Sequence, residues 1–215
     1  STGSGLWERA DPLEVASLPA FRHHPERFFK WIQPLAAKMA GAQPNPAHVA
    51  LAELEAAGLL KLIITQNIDD LHLRAGSHRV LELHGHLREA TCVDCYTVQP
   101  GGPLLAAFVE SGEIPTCPVC AGILKPNVIL FGEQLVATVV REAQAAVRRA
   151  DVILVAGSSL EVFPAAALPL EVIEHGGRCI LVNREPTYLD ERAQVVIHGD
   201  VAEILPRIAA EAFHG

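Results

Sequence analysis

The chain has no long apolar run. The most extended, near Val152 to Gly157, falls far short of the roughly 18 residues a membrane-spanning helix needs. The first residues show no basic region followed by an apolar one, and a soluble, cytoplasmic protein is expected. Positive charge is also scarce: 17 Lys and Arg against 25 Asp and Glu give a net charge of −8. That balance argues against nucleic acid as a partner, because a phosphate backbone calls for a basic face, but it suits basic peptides. No internal repeat and no low-complexity segment occurs. An apolar content of 50% over 215 residues excludes a disordered chain and allows one α/β domain with a small insertion.

Along the chain the patterning changes twice. Residues 6–57 carry helical spacing interrupted at Pro12, Pro19, Pro25, Pro34, Pro44 and Pro46, and read as several short helices. From Leu59, apolar runs alternate with amphipathic stretches: Leu62–Thr65, Val80–Leu83, Val128–Leu130, Val152–Ala156, Cys179–Val182 and Val195–Ile197. Parallel strands buried on both faces read this way. Helices are expected over Gln134–Arg149, over Pro164–His175 with Gly176-Gly177 as its stop, and over Val201–Phe213. Residues 86–126 interrupt the alternation. The expected fold is a Rossmann-like doubly wound parallel sheet (59–85 and 127–215), with a helical insertion (1–58) and a small metal-binding module (86–126).

Two polar clusters follow short apolar runs. Thr65-Gln-Asn-Ile-Asp-Asp-Leu-His72 comes after Leu62-Ile63-Ile64, and Leu81-Glu-Leu-His-Gly85 ends the next run. Such residues fall at the carboxyl ends of strands, where open α/β sheets bind ligands. Gln66, Asn67, Asp69, His72 and His84 place amides, a carboxylate and two imidazoles close together in an otherwise apolar segment. Helix capping by Asn67 and Asp69 and a core role for His84 are the structural alternatives. Gly157-Ser158-Ser159 likewise follows a strand and offers close backbone approach with two hydroxyls, or simply a turn. Asn183 ends a strand where dinucleotide folds often hold a ribose, or is a turn residue, and Asp200 reads as a helix cap.

Four of the five cysteines form Cys92-x2-Cys95 and Cys117-x2-Cys120. The spacing suits two knuckles around one tetrahedral zinc, with disulfides between the pairs as the alternative. Four thiolates leave no open coordination position, so such a zinc is structural. Cys179, in an apolar run, reads as a small core residue.

Taken in order, TQNIDDLH, ELHG, the paired CxxC motifs, KPNVILFGE, AGSSLEV, LVNRE and HGD resemble the sirtuins, the NAD-dependent protein lysine deacylases, from about Gly5 to the C-terminus. The resemblance implies that an acyl-lysine oxygen attacks the NAD carbon bearing nicotinamide. His84 is then the general base toward a ribose hydroxyl, and an acyl-ADP-ribose is formed. It assigns Gln66, Asn67, Asp69, Gly157, Ser158, Ser159, Asn183, Asp200 and Val201 to NAD+. Acetylated peptide falls to Ile129, Phe131, Gly132 and Glu133 on one side and to Leu160 and Val162 on the other, and one structural zinc to Cys92, Cys95, Cys117 and Cys120.

Sirtuins that remove acidic acyl groups carry a tyrosine and an arginine where this chain has Ile32 and Leu35, so acetyl is expected to be preferred over succinyl. Members of the family also begin with a strand and a Gly-Ala-Gly-x-Ser phosphate loop. The resemblance here starts only after these, near Ser1–Trp7, so an N-terminal stretch of about 30 residues is expected to be lacking, and Ser1–Gly215 alone to bind NAD poorly. A sirtuin-fold ADP-ribosyltransferase and a non-catalytic zinc- and NAD-binding module are the rival functions. Retention of His84 within ELHG favours deacylation.

Overall fold

The structure, a computed structural model, describes residues 12–214; the stretch Ser1–Trp7 lies outside the described residues. Four helices come first: α1 (Pro12–Val15), α2 (Leu18–His23), α3 (Pro25–Gly41) and α4 (Pro46–Ala56). There follow β1 (Ile63–Thr65), α5 (Leu71–Arg74), β2 (Val80–Glu82), β3 (Gly85–Cys92), β4 (Val98–Pro100), α6 (Gly101–Ser111) and β5 (Leu124–Val128). The remainder comprises α7 (Ala137–Val147), β6 (Val152–Ala156), a 3-10 turn (Ala165–Ala167), α8 (Leu168–Glu174), β7 (Arg178–Asn183), β8 (Val195–His198) and α9 (Val201–His214).

Prolines open the early helices rather than merely breaking them. Pro19, Pro25 and Pro46 stand in the first turn of α2, α3 and α4, where the missing N–H costs nothing. Asn45 caps α4 in a reciprocal box with His48, each side chain bonded to the other's backbone N–H at 3.2 Å. Pro34 departs from the expected break: it lies inside α3, which runs 17 residues through it. Pro34 is exposed, and so is Lys30, whose carbonyl the proline leaves without a donor, so water can satisfy that group. The opposite face of α3 buries Phe28, Phe29, Ile32 and Ala36 with Phe21, Leu87, Phe108, Val128 and Leu130. Ring centroids 5.2–5.3 Å apart in edge-on pairs hold this cluster, and each large side chain contributes about 1.5–3 kcal/mol by its burial.

The parallel strands form two sheets, β1-β2 and β6-β7-β8. Among the described residues the two sheets are not hydrogen-bonded to each other, yet they share their helical layers. Ala143, Val147, Leu168 and Val172 of α7 and α8 pack with Ile64 and Leu81 of one sheet and Ile153 of the other. On the alternate side-chain face, Ala47, Ala50 and Leu54 of α4 and Leu205 and Ala209 of α9 cover Leu154, Ile180 and Val182. Helices on both faces of parallel strands meet the doubly wound expectation. The stop after α8 is also as expected: Gly176 adopts φ +85°, and the Gly177 N–H bonds the Val172 carbonyl at 2.9 Å.

Val128–Leu130 corrects the sequence reading. It is not a strand of the parallel sheet. β5 ends at Val128 and pairs antiparallel with β3 in the order β4-β3-β5, and Val128 and Leu130 belong to the core beneath α3. The apolar run reflects burial in that second core, which periodicity alone does not distinguish from a parallel strand. The helix expected over Gln134–Arg149 starts only at Ala137.

Candidate active site

The four cysteines that sequence spacing pairs do converge. Their sulfurs all lie within 4.8 Å of one another, with Cys92 to Cys120 at 3.4 Å and Cys95 to Cys117 at 3.6 Å. Four sulfurs around one zinc stand about 3.8 Å apart, given a Zn–S bond of about 2.3 Å, so the donor set fits that metal. All four sulfurs approach one another in a single cluster, an arrangement that suits one metal rather than two separate bridges. The Asp94 and Val119 N–H groups point at the sulfurs of Cys92 and Cys117 at 3.5 and 3.4 Å, the knuckle turns expected of such a site. Gly122 is obligatory there, since a β-carbon would stand 2.9 Å from the Cys92 sulfur.

Strand β3 runs from the cysteines back to His84. Gly85, with φ +76°, lets β3 lie against β5; a β-carbon there would be driven into the Asn127 carbonyl oxygen. The His84 carbonyl accepts the Ile129 N–H at 2.9 Å, and its half-buried ring bonds the Gln66 carbonyl through Nδ1 at 3.1 Å. A carbonyl can only accept, so Nδ1 carries the proton and the lone pair is left on Nε2. Burial pulls the imidazole below its ordinary titration range, and the Gln66 contact offsets part of that shift. The ring is therefore neutral and basic near pH 7.

The loop after β1 turns sharply. Asn67 N–H bonds the Thr65 hydroxyl at 3.1 Å, and the Asp69 carboxylate accepts the Leu71 N–H at 3.0 Å, a turn just ahead of α5, whose N-cap position is Asp70 rather than Asn67 or Asp69. Asn67 is exposed. Thr65, Asn67, Asp69, Asp70, His72 and Glu82, together with Leu71, Leu73 and Val80, line one small recess. His72 lies beneath it, its ring centroid 4.8 Å from that of His48. Burial holds both imidazoles below their usual range, and for His72 the proximity of His48 adds to the effect.

At the ends of β6 and β7, Gly157 takes φ +62° and its N–H bonds the Val182 carbonyl at 2.9 Å. A β-carbon on it would stand 3.6 Å from Val201 at the start of α9, so the backbone there is open. Ser158 accepts the Leu160 N–H at 3.2 Å, while Ser159 is exposed. Asn183 is 9% exposed and donates to the Glu185 carbonyl at 2.8 Å. Asp200 caps α9 through Ala202 N–H at 2.8 Å and pairs with Arg184 at 2.5 Å.

The stretch after β5 is tethered at one edge, where Phe131 bridges to Ser17, and then turns: the Glu133 N–H bonds the Leu130 carbonyl at 2.9 Å and Gly132 takes φ +82°. Phe131 exchanges main-chain bonds with Ala16 and Leu18, both 2.9 Å, and leaves its ring 41% exposed. The Glu133 carboxylate turns inward to the Leu130 N–H at 2.7 Å and the Lys125 ammonium at 3.1 Å, and that ammonium also donates to the Val128 carbonyl at 2.8 Å. Among the described residues, the Ile129 carbonyl accepts no hydrogen bond. Leu160, in a left-handed conformation with φ +57°, is buried in the core, whereas Val162 is exposed.

The model of the Sir2 family matches residues 1–164. NAD-dependent protein deacylase 2 of Archaeoglobus fulgidus is 45% identical over 208 residues, 96% of this chain and 81% of that protein. The NAD-dependent protein deacetylase of Caldivirga maquilingensis is 45% identical over 207 residues, 96% of this chain and 79% of that protein. A solved structure of Sir2 with p53 peptide and NAD+ superposes with a TM-score of 0.86 at 40% identity, covering 93% of this chain and 82% of that one. The chain belongs to the Sir2 family.

In this Sir2 chain, Gln66 and His84 are in direct contact, and Asn67 and Asp69 line the adjoining recess. Gly157–Ser159, Asn183, Asp200 and Val201 gather at the ends of β6–β8. Sequence reasoning missed Asp70, Glu82, Arg88 and Lys125. Arg88 holds Asp70 and Glu82 at once, and Lys125 holds Glu133. No signal singles Arg88 out: Arg74 and Arg79 lie between TQNIDD and ELHG while Arg88 follows both, and pairs separated by 18 and 6 positions show no periodicity.

Proposed function

We infer that this Sir2 chain is an NAD-dependent protein lysine deacetylase, which moves the acetyl group of acetyl-lysine to ADP-ribose and releases nicotinamide. The observation that carries the reading is His84: a neutral imidazole just past the carboxyl end of β2, oriented by the carbonyl of Gln66, which opens the loop carrying Asn67 and Asp69. NAD+ supplies the electrophilic sugar carbon and the ADP-ribose acceptor. His84 Nε2 takes a ribose hydroxyl proton, a task suited to an imidazole that burial keeps in its base form. Asn67 and Asp69 face the nicotinamide end, and Gly157, Ser158, Ser159, Asn183, Asp200 and Val201 the phosphate and adenosine end. The open Ile129 carbonyl and the exposed Phe131 ring suit an extended acetyl-lysine segment paired through its main chain, with Gly132, Glu133, Leu160 and Val162 flanking it. Zinc held by Cys92, Cys95, Cys117 and Cys120 folds its module and takes no part in the chemistry.

The substrates on this reading are acetylated lysines of proteins, and the setting is the cytoplasm. No described helix is long and apolar enough to cross a membrane. Mass spectrometry of a reaction with NAD+ and an acetyl-lysine peptide tests the reading. Equal amounts of nicotinamide, free-lysine peptide and acetyl-ADP-ribose are expected. Peptide that instead gains ADP-ribose, or remains acetylated, would overturn it.

A further inference from the structure

Three segments of the chain meet at one guanidinium. Arg88 on β3 grips Glu82, the last residue of β2, with a two-pronged fork, Nη1 to Oε1 at 2.8 Å and Nη2 to Oε2 at 2.5 Å. Its Nη1 also donates to the Asp70 carboxylate. Glu82 and Asp70 are only 11% and 22% exposed at their side chains. Asp70 sits at φ 60° and ψ 9°, a left-handed conformation that ordinary side chains avoid, and directly follows Asp69. It is thus the hinge between the recess residues Asn67 and Asp69 and helix α5, whose Arg74 N–H bonds the Asp70 carbonyl at 2.9 Å. Without Arg88, two half-buried carboxylates would face each other. Burial and Glu82 both push the Asp70 carboxyl up, and Arg88 opposes them.

We propose that Arg88 is a positioning residue for NAD+: by clamping Asp70 to Glu82 it fixes the loop 66–70 in the conformation that receives the nicotinamide end of the cofactor. The inference rests on the deacetylase reading above. Arg88 itself touches no reacting group; it acts through Asp70. Because it lies on the strand that continues to Cys92, it also ties the rim of the cofactor recess to the zinc module.

Asp70→Asn tests the clamp directly. Asparagine tolerates the left-handed backbone and leaves the Arg88–Glu82 fork in place, so folding is spared. In the full-length protein, the KM for NAD+ should rise about five- to tenfold, the scale of one charge-assisted hydrogen bond. The KM for acetylated peptide, the zinc content and the melting temperature should stay near wild type. Arg88→Met should show the same NAD+ selectivity together with some loss of stability, and Arg88→Lys should restore part of the NAD+ affinity. The proposal is overturned if Asp70→Asn leaves the KM for NAD+ within twofold of wild type, or raises both KM values together, or if Arg88→Met lowers only the melting temperature. Failure of the unmodified protein to deacetylate would instead count against the deacetylase reading.

Discussion

Gly85→Ala puts a methyl group where β3 and β5 leave no room. The new β-carbon would overlap the Asn127 carbonyl oxygen and stand 3.1 Å from both the Asn127 carbonyl carbon and Val128 Cα, all of them backbone atoms that cannot rotate away. Holding alanine at φ +76° costs about 1–2 kcal/mol, and parting the strands adds about 1–3 kcal/mol of overpacking strain. For a domain of this size, each kcal/mol moves the melting temperature by about 2–4 °C, so a fall on the order of 10 °C is expected. The displacement also reaches the chemistry, because the His84 carbonyl is bonded to Ile129 N–H at 2.9 Å and the two must move together. Catalytic efficiency should fall by about tenfold or more, as misplacement by about 1 Å does. Gly58→Ala is the control: it shares a left-handed φ of +74° but meets nothing within 4 Å, so it should cost only the backbone penalty and leave activity unchanged. Differential scanning calorimetry and steady-state deacetylation of the two variants give the comparison. Equal melting temperatures and equal activities would refute the steric account of the ELHG glycine.

His84→Ala should retain the wild-type melting temperature and lose about 10² or more in turnover, the scale of general-base catalysis; near wild-type deacetylation would remove it from the mechanism. Since burial lowers the His84 pKa, its base form persists below the ordinary imidazole range. The acid limb of kcat/KM against pH should therefore have its midpoint below about 6.5, with activity lost as pH falls through it, and a midpoint above that value would contradict the burial argument. Metal analysis should return one zinc per chain, and chelation should loosen residues 86–126 first by hydrogen exchange; full protection and activity in zinc-free protein would overturn the structural role. Acetyl-lysine peptide should react faster than succinyl-lysine peptide, because Ile32, buried in the apolar core, and the neighbouring half-buried Leu35 offer a carboxylate no partner; faster desuccinylation would contradict this.

The parts legible in the sequence were those whose chemistry sits in contiguous motifs. The two CxxC pairs foretold the sulfur cluster, and TQNIDDLH and ELHG foretold that Gln66 and His84 would fall at the carboxyl ends of strands, which prove to be the neighbours β1 and β2. Strands β6 to β8 were equally plain, since residues buried on both faces leave continuous apolar runs. Val128–Leu130 misled for the same reason: its burial comes from α3 and α6 rather than from a parallel sheet. Pro34 misled because the hydrogen bond it removes leaves the Lys30 carbonyl on an exposed face of α3, where water can satisfy it, while the opposite face is held by the core. The Arg88 clamp and the Lys125–Glu133 pair join residues through the fold, and no local pattern announces them. Glu133 shows the limit well. The motif assigned it to substrate, yet its carboxylate is held by Leu130 N–H and Lys125, and from there it shapes the segment that would face the peptide.

The measurement that bears most directly on the central claim is nicotinamide release from NAD+ by the full-length protein, followed with acetyl-lysine peptide, with the same peptide unacetylated, and with no peptide. Release that depends on the acetyl group, and is lost in His84→Ala, is the expected result. Equal release in all three reactions, or none in any, would contradict the account.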